Sequence, residues 1–105
     1  MVHLPDKVKT IINQYLSELS RNNIPIKEAV LFGSYAKGNS QEFSDIDIAL
    51  VSDIFVGDRI DDKNKIRRVT LSVSSAIEVI PFAPQDFDPS NPLAKEILST
   101  GIRLI

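Results

Sequence analysis

Apolar residues recur along this chain with two periods, one typical of helices and the other of strands. Residues 5–21 carry apolar side chains three and four positions apart, which predicts a helix with one apolar face. Similar spacing predicts a helix at about 59–74, and Asn91 followed by Pro92, which is typical of a helix start, predicts another at about 92–99. Short apolar runs predict strands at about 27–32, 45–51 and 76–82, and residues 102–105 could add a short edge strand.

The segment between the first two predicted strands interrupts this pattern. Gly33 permits a tight turn after the first strand, and Ser34 is expected to cap a one-turn helix that Gly38 ends. A polar loop at 39–44 then leads into the second strand. The order αβαβαβα(β) predicts an α/β (α+β) fold in a single domain, 1–105, with a mixed sheet of three to four strands and helices packed on it.

The composition of the chain argues against several classes of function. The 105 residues suit one domain, and 43% hydrophobic with 25% charged residues is typical of a globular protein. The chain has no cysteine, which excludes disulfides and thiolate chemistry. No apolar run approaches membrane-spanning length, so we expect a cytoplasmic protein without a membrane role. With a net charge of −2, direct nucleic-acid binding is not expected, and no role is expected for His3.

Two aspartates give the first indication of chemistry. Asp45 and Asp47 lie two positions apart on one face of the predicted second strand, about 7 Å apart along the backbone. Carboxylates in this arrangement can converge on hard cations, and the nearby Gly33–Ser34 turn offers backbone amides to phosphate. The alternative is that both carboxylates are surface charge at an exposed strand start.

Glu78 is the only charged residue in the third predicted strand, at 76–82. A buried carboxylate is rare unless it is paired or binds a metal, so we expect Glu78 to belong to a site. The alternative is a residue at the edge of the sheet that faces water.

The second long helix has a basic outer face, formed by Lys63, Lys65, Arg67 and Arg68. A solvated face with an Asp61–Lys65 pair is one interpretation, and contact with phosphate or an acidic partner is the other.

The sequence Gly33-Ser34, ten intervening residues and then Asp45-Ile46-Asp47 resembles the signature of the DNA-polymerase-beta-like nucleotidyltransferases. The length and the order of elements resemble the minimal nucleotidyltransferases (MNT), over about residues 26–105. This resemblance implies that Asp45, Asp47 and Glu78 are the catalytic acids and hold two Mg²⁺ ions. It also implies that the nucleoside triphosphate is bound by Gly33, Ser34 and Lys37.

The resemblance further implies a reaction and a partner. An MNT-type enzyme would transfer AMP from ATP to a hydroxyl of a partner protein, and minimal members commonly act as the antitoxin of a HEPN-domain toxin. One alternative is an antitoxin with weak or lost catalysis that acts by binding its toxin. A transferase for a small molecule such as an aminoglycoside, or for an RNA end, ranks lowest, because relatives with such acceptors have a further domain to hold them.

Overall fold

The computed structural model describes residues 4–41 and 44–105, and it confirms the predicted fold class and the predicted order of elements. His3 and part of the predicted loop at 39–44 lie outside the described residues. The helices are α1 (Asp6–Arg21), α2 (Ser34–Lys37), α3 (Arg59–Val73) and α4 (Pro92–Thr100), and the strands are β1 (Glu28–Phe32), β2 (Ile46–Val51), β3 (Ile77–Phe82) and β4 (Ile102–Arg103).

One mixed sheet organises the described part of the chain, with the strand order β3-β2-β1-β4. β1 runs antiparallel to both β2 and β4, and β2 runs parallel to β3. The parallel pair requires a crossover connection, which α3 provides. β2 is therefore a central strand, whereas β3 lies at the edge.

The helices cover the two faces of this sheet unequally. α1 and α3 pack on one face, against side chains that include Leu31, Ile48 and Leu50. α4 packs on the other face, where Val30, Ala49 and Val51 form a second cluster with it. Because side chains alternate along a strand, Asp47 lies on the same face as Ala49 and Val51, at the start of β2. The candidate site therefore lies at the start of β2, on the face that α4 covers.

A buried hydrogen bond joins the two helices of the first face. The Tyr15 hydroxyl lies 2.6 Å from the Thr70 hydroxyl, and both residues are buried. Burial raises the pKa of Tyr15 to about 12, against the opposing effect of this hydrogen bond. Tyr15 thus lies on the buried face of the first helix. Among the described residues, no helix is long and apolar enough to cross a membrane.

The start of α3 differs from the sequence prediction in its ion pair. Asp58 caps the helix by accepting the N–H groups of Ile60 and Asp61. The predicted Asp61–Lys65 pair is wrong, because Lys65 Nζ lies 3.1 Å from Asp62 Oδ1 and also donates to the carbonyl oxygen of Ile54. Asp61 is exposed in the first turn of α3, and its backbone N–H donates a hydrogen bond to the Asp58 side chain.

Candidate functional site

The turn after β1 is built around Gly33. Its φ of 76° lies in the region that favours glycine, and Gly33 itself occupies the cap position of α2. The prediction that Ser34 caps this helix is wrong, since Ser34 is the first helical residue and no side chain caps α2. The turn lies at Gly33 as predicted, and the helix begins one residue earlier than expected. Gly38 ends the helix in a left-handed conformation with φ 79°, as predicted.

Asp47 lies directly against this turn. Asp47 is opposite Phe32 in the β1–β2 register, so Gly33 is the next residue along β1 beyond that pair. A Cβ atom on Gly33 would collide with Asp47 Oδ2. Glycine is thus required at position 33 both for the backbone conformation and for the approach of this carboxylate. The structure brings together the predicted phosphate turn and one of the predicted acids.

The three predicted acids are close enough to influence one another. Asp47 is opposite Glu78 in the parallel β2–β3 register, and Asp45 precedes β2 by one residue. Partial burial raises the pKa of Asp47, and the negative charges of Asp45 and Glu78 raise this pKa further. Within residues 4–41 and 44–105, no hydrogen bond or ion pair engages the Asp47 carboxylate.

Glu78 has a different environment from the one predicted. The expectation of a buried carboxylate is wrong, because β3 is an edge strand and 53% of the Glu78 side chain is exposed. The position of Glu78 agrees with the alternative prediction, a residue at the edge of the sheet that faces water. Lys63 Nζ donates a hydrogen bond of 2.8 Å to Glu78 Oε1. Glu78 therefore already has a cationic partner.

The described part of the chain contains no group of three or more histidine, aspartate or glutamate side chains close enough to form a metal centre. Metal binding by Asp45, Asp47 and Glu78 accordingly stays a prediction. The chemistry of these residues fits it, because carboxylate oxygens are the ligands of hard divalent cations. A half-buried Asp47 between two further negative charges is a place where a cation would relieve repulsion.

Ser34 and Lys37 lie on α2, beside the turn. Ser34 is half-buried, and Lys37 is exposed with its Nζ 3.9 Å from Glu96 Oε1 of α4. A cavity of about 130 Å³ separates α2 from α4 here, and Gly33 and Lys37 are among its lining residues. Their nucleotide-binding role stays a prediction.

The partners of two charged side chains could not be predicted from local spacing. Lys63 lies on the predicted basic face of α3, and its partner Glu78 is 15 positions away along the chain, beyond the range of helical spacing rules. Asp62 is fully buried and accepts the N–H groups of Val56 and Gly57. Burial alone would raise its pKa, but the hydrogen bonds from Val56, Lys65 and Gly57 together lower it. The acidic first turn of α3 was the one available signal for Asp62.

Solved structures share this fold. A candidate nucleotidyltransferase of Sulfolobus solfataricus superposes with a TM-score of 0.69 at 18% identity, covering 92% of this chain and 78% of that chain. A toxin–antitoxin structure with AMP-PNP superposes with a TM-score of 0.63 at 26% identity, covering 89% of this chain and 71% of that chain. A mutant of the toxin–antitoxin MntA-HpeT gives a TM-score of 0.60 at 23% identity, with coverages of 89% and 71%.

Sequence comparison identifies the family. A candidate protein adenylyltransferase of Methanocaldococcus jannaschii is 43% identical over 42 residues, which are 40% of this chain. The match spans about half of that curated relative, 48% of its length. The family model of the nucleotidyltransferase domain matches residues 11–103, nearly the whole chain. The chain therefore belongs to the nucleotidyltransferase domain family, which confirms the resemblance to the polymerase-beta-like and minimal nucleotidyltransferases.

Proposed function

We propose that this chain transfers AMP from ATP to a hydroxyl group of a partner protein. The observation that carries the proposal is the position of Asp47, whose carboxylate lies against the Gly33 turn and between the charges of Asp45 and Glu78. A turn open to phosphate next to a group of acids suits the binding of a nucleotide together with divalent cations. Family membership agrees with this chemistry.

The turn would hold the triphosphate. The first N–H groups of α2 have no partner within the helix and can donate to phosphate oxygens, as can the Ser34 hydroxyl. Lys37 is exposed and contributes positive charge at the same turn. Its contact with Glu96, at 3.9 Å between partly exposed groups, is weak enough to be exchanged for a phosphate.

Asp45, Asp47 and Glu78 would hold two Mg²⁺ ions. When bound, such ions stabilise the attacking and leaving oxygens of an in-line displacement. The acceptor oxygen forms a bond to the α-phosphorus, the bond from that phosphorus to the bridging oxygen breaks, and pyrophosphate leaves. Glu78 can accept the proton of the acceptor hydroxyl, because its side chain is half exposed and hydrogen-bonded only to Lys63 in the described residues.

A macromolecular acceptor is supported by the size and openness of the site. The loops at 52–58 and 83–91 follow the far ends of β2 and β3, so neither encloses the acids at the strand starts. Asp45 and Glu78 are exposed there, which leaves the site open on one side. An acceptor on its own scaffold could close that side and exclude water. Similarity to a toxin–antitoxin structure with AMP-PNP and to a candidate protein adenylyltransferase supports an MNT-type antitoxin with a toxin as its partner. A HEPN-domain toxin is the partner that the family resemblance implies.

The second candidate function is an antitoxin that neutralises its partner by binding alone. The observation in its favour is the Lys63–Glu78 ion pair, which engages the third predicted acid. No three-acid group is close enough for a metal centre within the residues that the structure describes. An antitoxin that acts by binding alone needs no metal centre, so the Lys63–Glu78 ion pair could stay intact when the partner binds.

Transfer of labelled AMP separates these functions. The purified chain would be incubated with Mg²⁺, ATP labelled at the α-phosphate and the protein encoded in the neighbouring reading frame. The label should appear on that protein and should be lost in Asp45→Asn but kept in Asp53→Asn, a matched change at an exposed acid in the loop after β2. Glu78→Gln should bind nucleotide and fail to transfer it.

Neutralisation of the partner without any label would support the binding antitoxin. Efficient labelling of an aminoglycoside or an RNA end without the partner would contradict the proposed acceptor. Labelling of the partner that persists in Asp45→Asn would contradict the proposed site.

A further inference from the structure

A groove lies along the free edge of β3, and Glu78 is one of the residues that line it. It has a volume of about 270 Å³ and lies between this edge and one side of α3. Lys63, Arg67 and Leu71 line it at intervals of four residues, which places them in one row along the helix. Leu71 is 56% exposed, so its apolar side chain is available to a bound segment. The groove thus combines two cations with an exposed apolar position.

The backbone of β3 offers hydrogen bonds to this groove. The carbonyl groups of Ala76 and Phe82 accept from β2, so every second residue between them also faces β2. Ile77 and Val79, which line the groove, consequently direct their N–H and C=O groups away from β2. Within the described residues, no other strand pairs with β3 on that side. This edge can accept an added strand.

Pro81 limits how far such a strand could extend. By the same alternation it also faces outward, and it has no N–H to donate. Pairing is therefore confined to the first half of β3, next to Glu78. An added segment would end beside the candidate site instead of continuing along the whole edge.

The direction of attack points to the same groove. In the sheet, the Gly33 turn lies on the β1 side of Asp47 and Glu78 lies on the β3 side. If the turn holds the departing phosphates, the acceptor oxygen must come from the opposite side, because attacking and leaving oxygens are in line. The acceptor therefore approaches from β3.

We propose that the groove between α3 and the edge of β3 binds an extended acidic segment of the acceptor protein, which pairs with Ile77 and Val79 and delivers its hydroxyl beside Glu78. The inference rests on the proposed function and deepens it. Carboxylates of the segment would contact Lys63 and Arg67, and an apolar side chain would cover Leu71. The Lys63–Glu78 pair is about half exposed, so the segment can displace it readily.

Binding of a short peptide tests the groove without nucleotide. The probe is an acetylated peptide of alternating glutamate and valine with one central tyrosine, and its control carries lysine in place of glutamate. Amide exchange measured by NMR should slow at Ile77 and Val79 when the acidic peptide is added. The acidic peptide should bind with a Kd below about 1 mM, and the lysine peptide should not.

Two neighbouring arginines provide a matched pair of variants. Arg67 lines the groove and Arg68 does not, although both are exposed on α3. Arg67→Glu should weaken binding of the acidic peptide by at least about tenfold, whereas Arg68→Glu should change it by less than about twofold. Circular dichroism should show both variants folded, since neither side chain is part of the core.

Four results would overturn the proposal: no binding of the acidic peptide near millimolar concentration, equal loss in the two variants, slowed exchange at amides outside β3, or tighter binding of a single-stranded RNA. Failure of AMP transfer with the peptide still bound at β3 would reject the proposed function and keep the docking site. Successful AMP transfer to the partner protein, with no peptide binding and no slowed amide exchange at β3, would reject only the docking site.

Discussion

Asp62 and Asp47 are two carboxylates in one small protein with opposite environments. Asp62 is fully buried, yet it accepts hydrogen bonds from two backbone amides and pairs with Lys65, and its pKa is lowered. Asp47 is only half-buried, but burial raises its pKa, and the negative charges of Asp45 and Glu78 raise this pKa further. Burial disfavours the ionised form of both acids, and only Asp62 has hydrogen-bond donors that offset it.

The difference assigns different roles to the two acids. Asp62 holds the loop after β2 onto the start of α3, so its negative charge stabilises the fold. Among the described residues, Asp47 has no partner for its charge, although glycine at position 33 leaves space for it. An acid kept in an unfavourable environment is a mark of a functional site. Substitution of Asp47 and substitution of Asp62 test these two roles separately.

The largest expected effect is on AMP transfer. Asp47→Asn keeps the shape of the side chain and removes the charge that would bind a cation, so transfer to the partner should fall by at least about 100-fold. Initial rates with labelled ATP measure this, with Asp53→Asn as the control. A rate for Asp47→Asn close to that of the unchanged protein would remove Asp47 from the site.

Asp62→Ala should have the second largest effect, on stability alone. The amides of Val56 and Gly57 would lose the charged carboxylate that accepts their hydrogen bonds, which should lower the free energy of unfolding by about 2–3 kcal/mol. Urea denaturation measures this. Transfer per folded molecule should be unchanged at a temperature where the variant is folded. A stability equal to that of the unchanged protein would mean that water replaces the carboxylate.

A smaller effect is expected in the pH dependence of stability. At neutral pH the ionised Asp47 repels Asp45 and Glu78, so Asp47→Asn should be more stable than the unchanged protein. As the pH falls through the raised pKa of Asp47, protonation removes the repulsion and the difference should shrink. Asp62 behaves oppositely, because its lowered pKa gives stability that is lost as the pH falls through that pKa.

Urea denaturation of the unchanged protein, Asp47→Asn and Asp62→Ala at several pH values separates the two contributions. The Asp47→Asn difference should be largest at neutral pH, and the Asp62→Ala difference should disappear only at strongly acidic pH. A destabilised Asp47→Asn at neutral pH would contradict the assignment, because it would mean that the ionised Asp47 is held by favourable contacts.

The sequence predicted those parts of the fold that depend on local pattern. Helical spacing located α1 and α3, and Asn91 with Pro92 marked the start of α4, where the Asn91 side chain accepts the N–H groups of Leu93 and Ala94. The apolar runs located the three long strands to within a residue or two. These features depend on near neighbours, which a sequence shows directly.

The parts that could not be predicted depend on contacts distant in the chain. Glu78 was expected to be buried because its strand is apolar, but the strand order places β3 at the edge, and strand order is not visible in periodicity. The Lys63–Glu78 pair and the burial of Asp62 follow from the packing of α3 on the sheet. The closeness of Asp47 to Gly33 was implied by the family signature, and the β1–β2 register explains it.

The central claim is that the charge around Asp47 is arranged for a divalent cation, and the thermal unfolding midpoint measured with and without Mg²⁺ tests it most directly. A cation that binds only the folded protein raises Tm. We predict that millimolar Mg²⁺ raises the Tm of the unchanged protein and of Asp53→Asn, and leaves that of Asp47→Asn unchanged. An equal rise in all three proteins, or no rise in any of them, would contradict the claim.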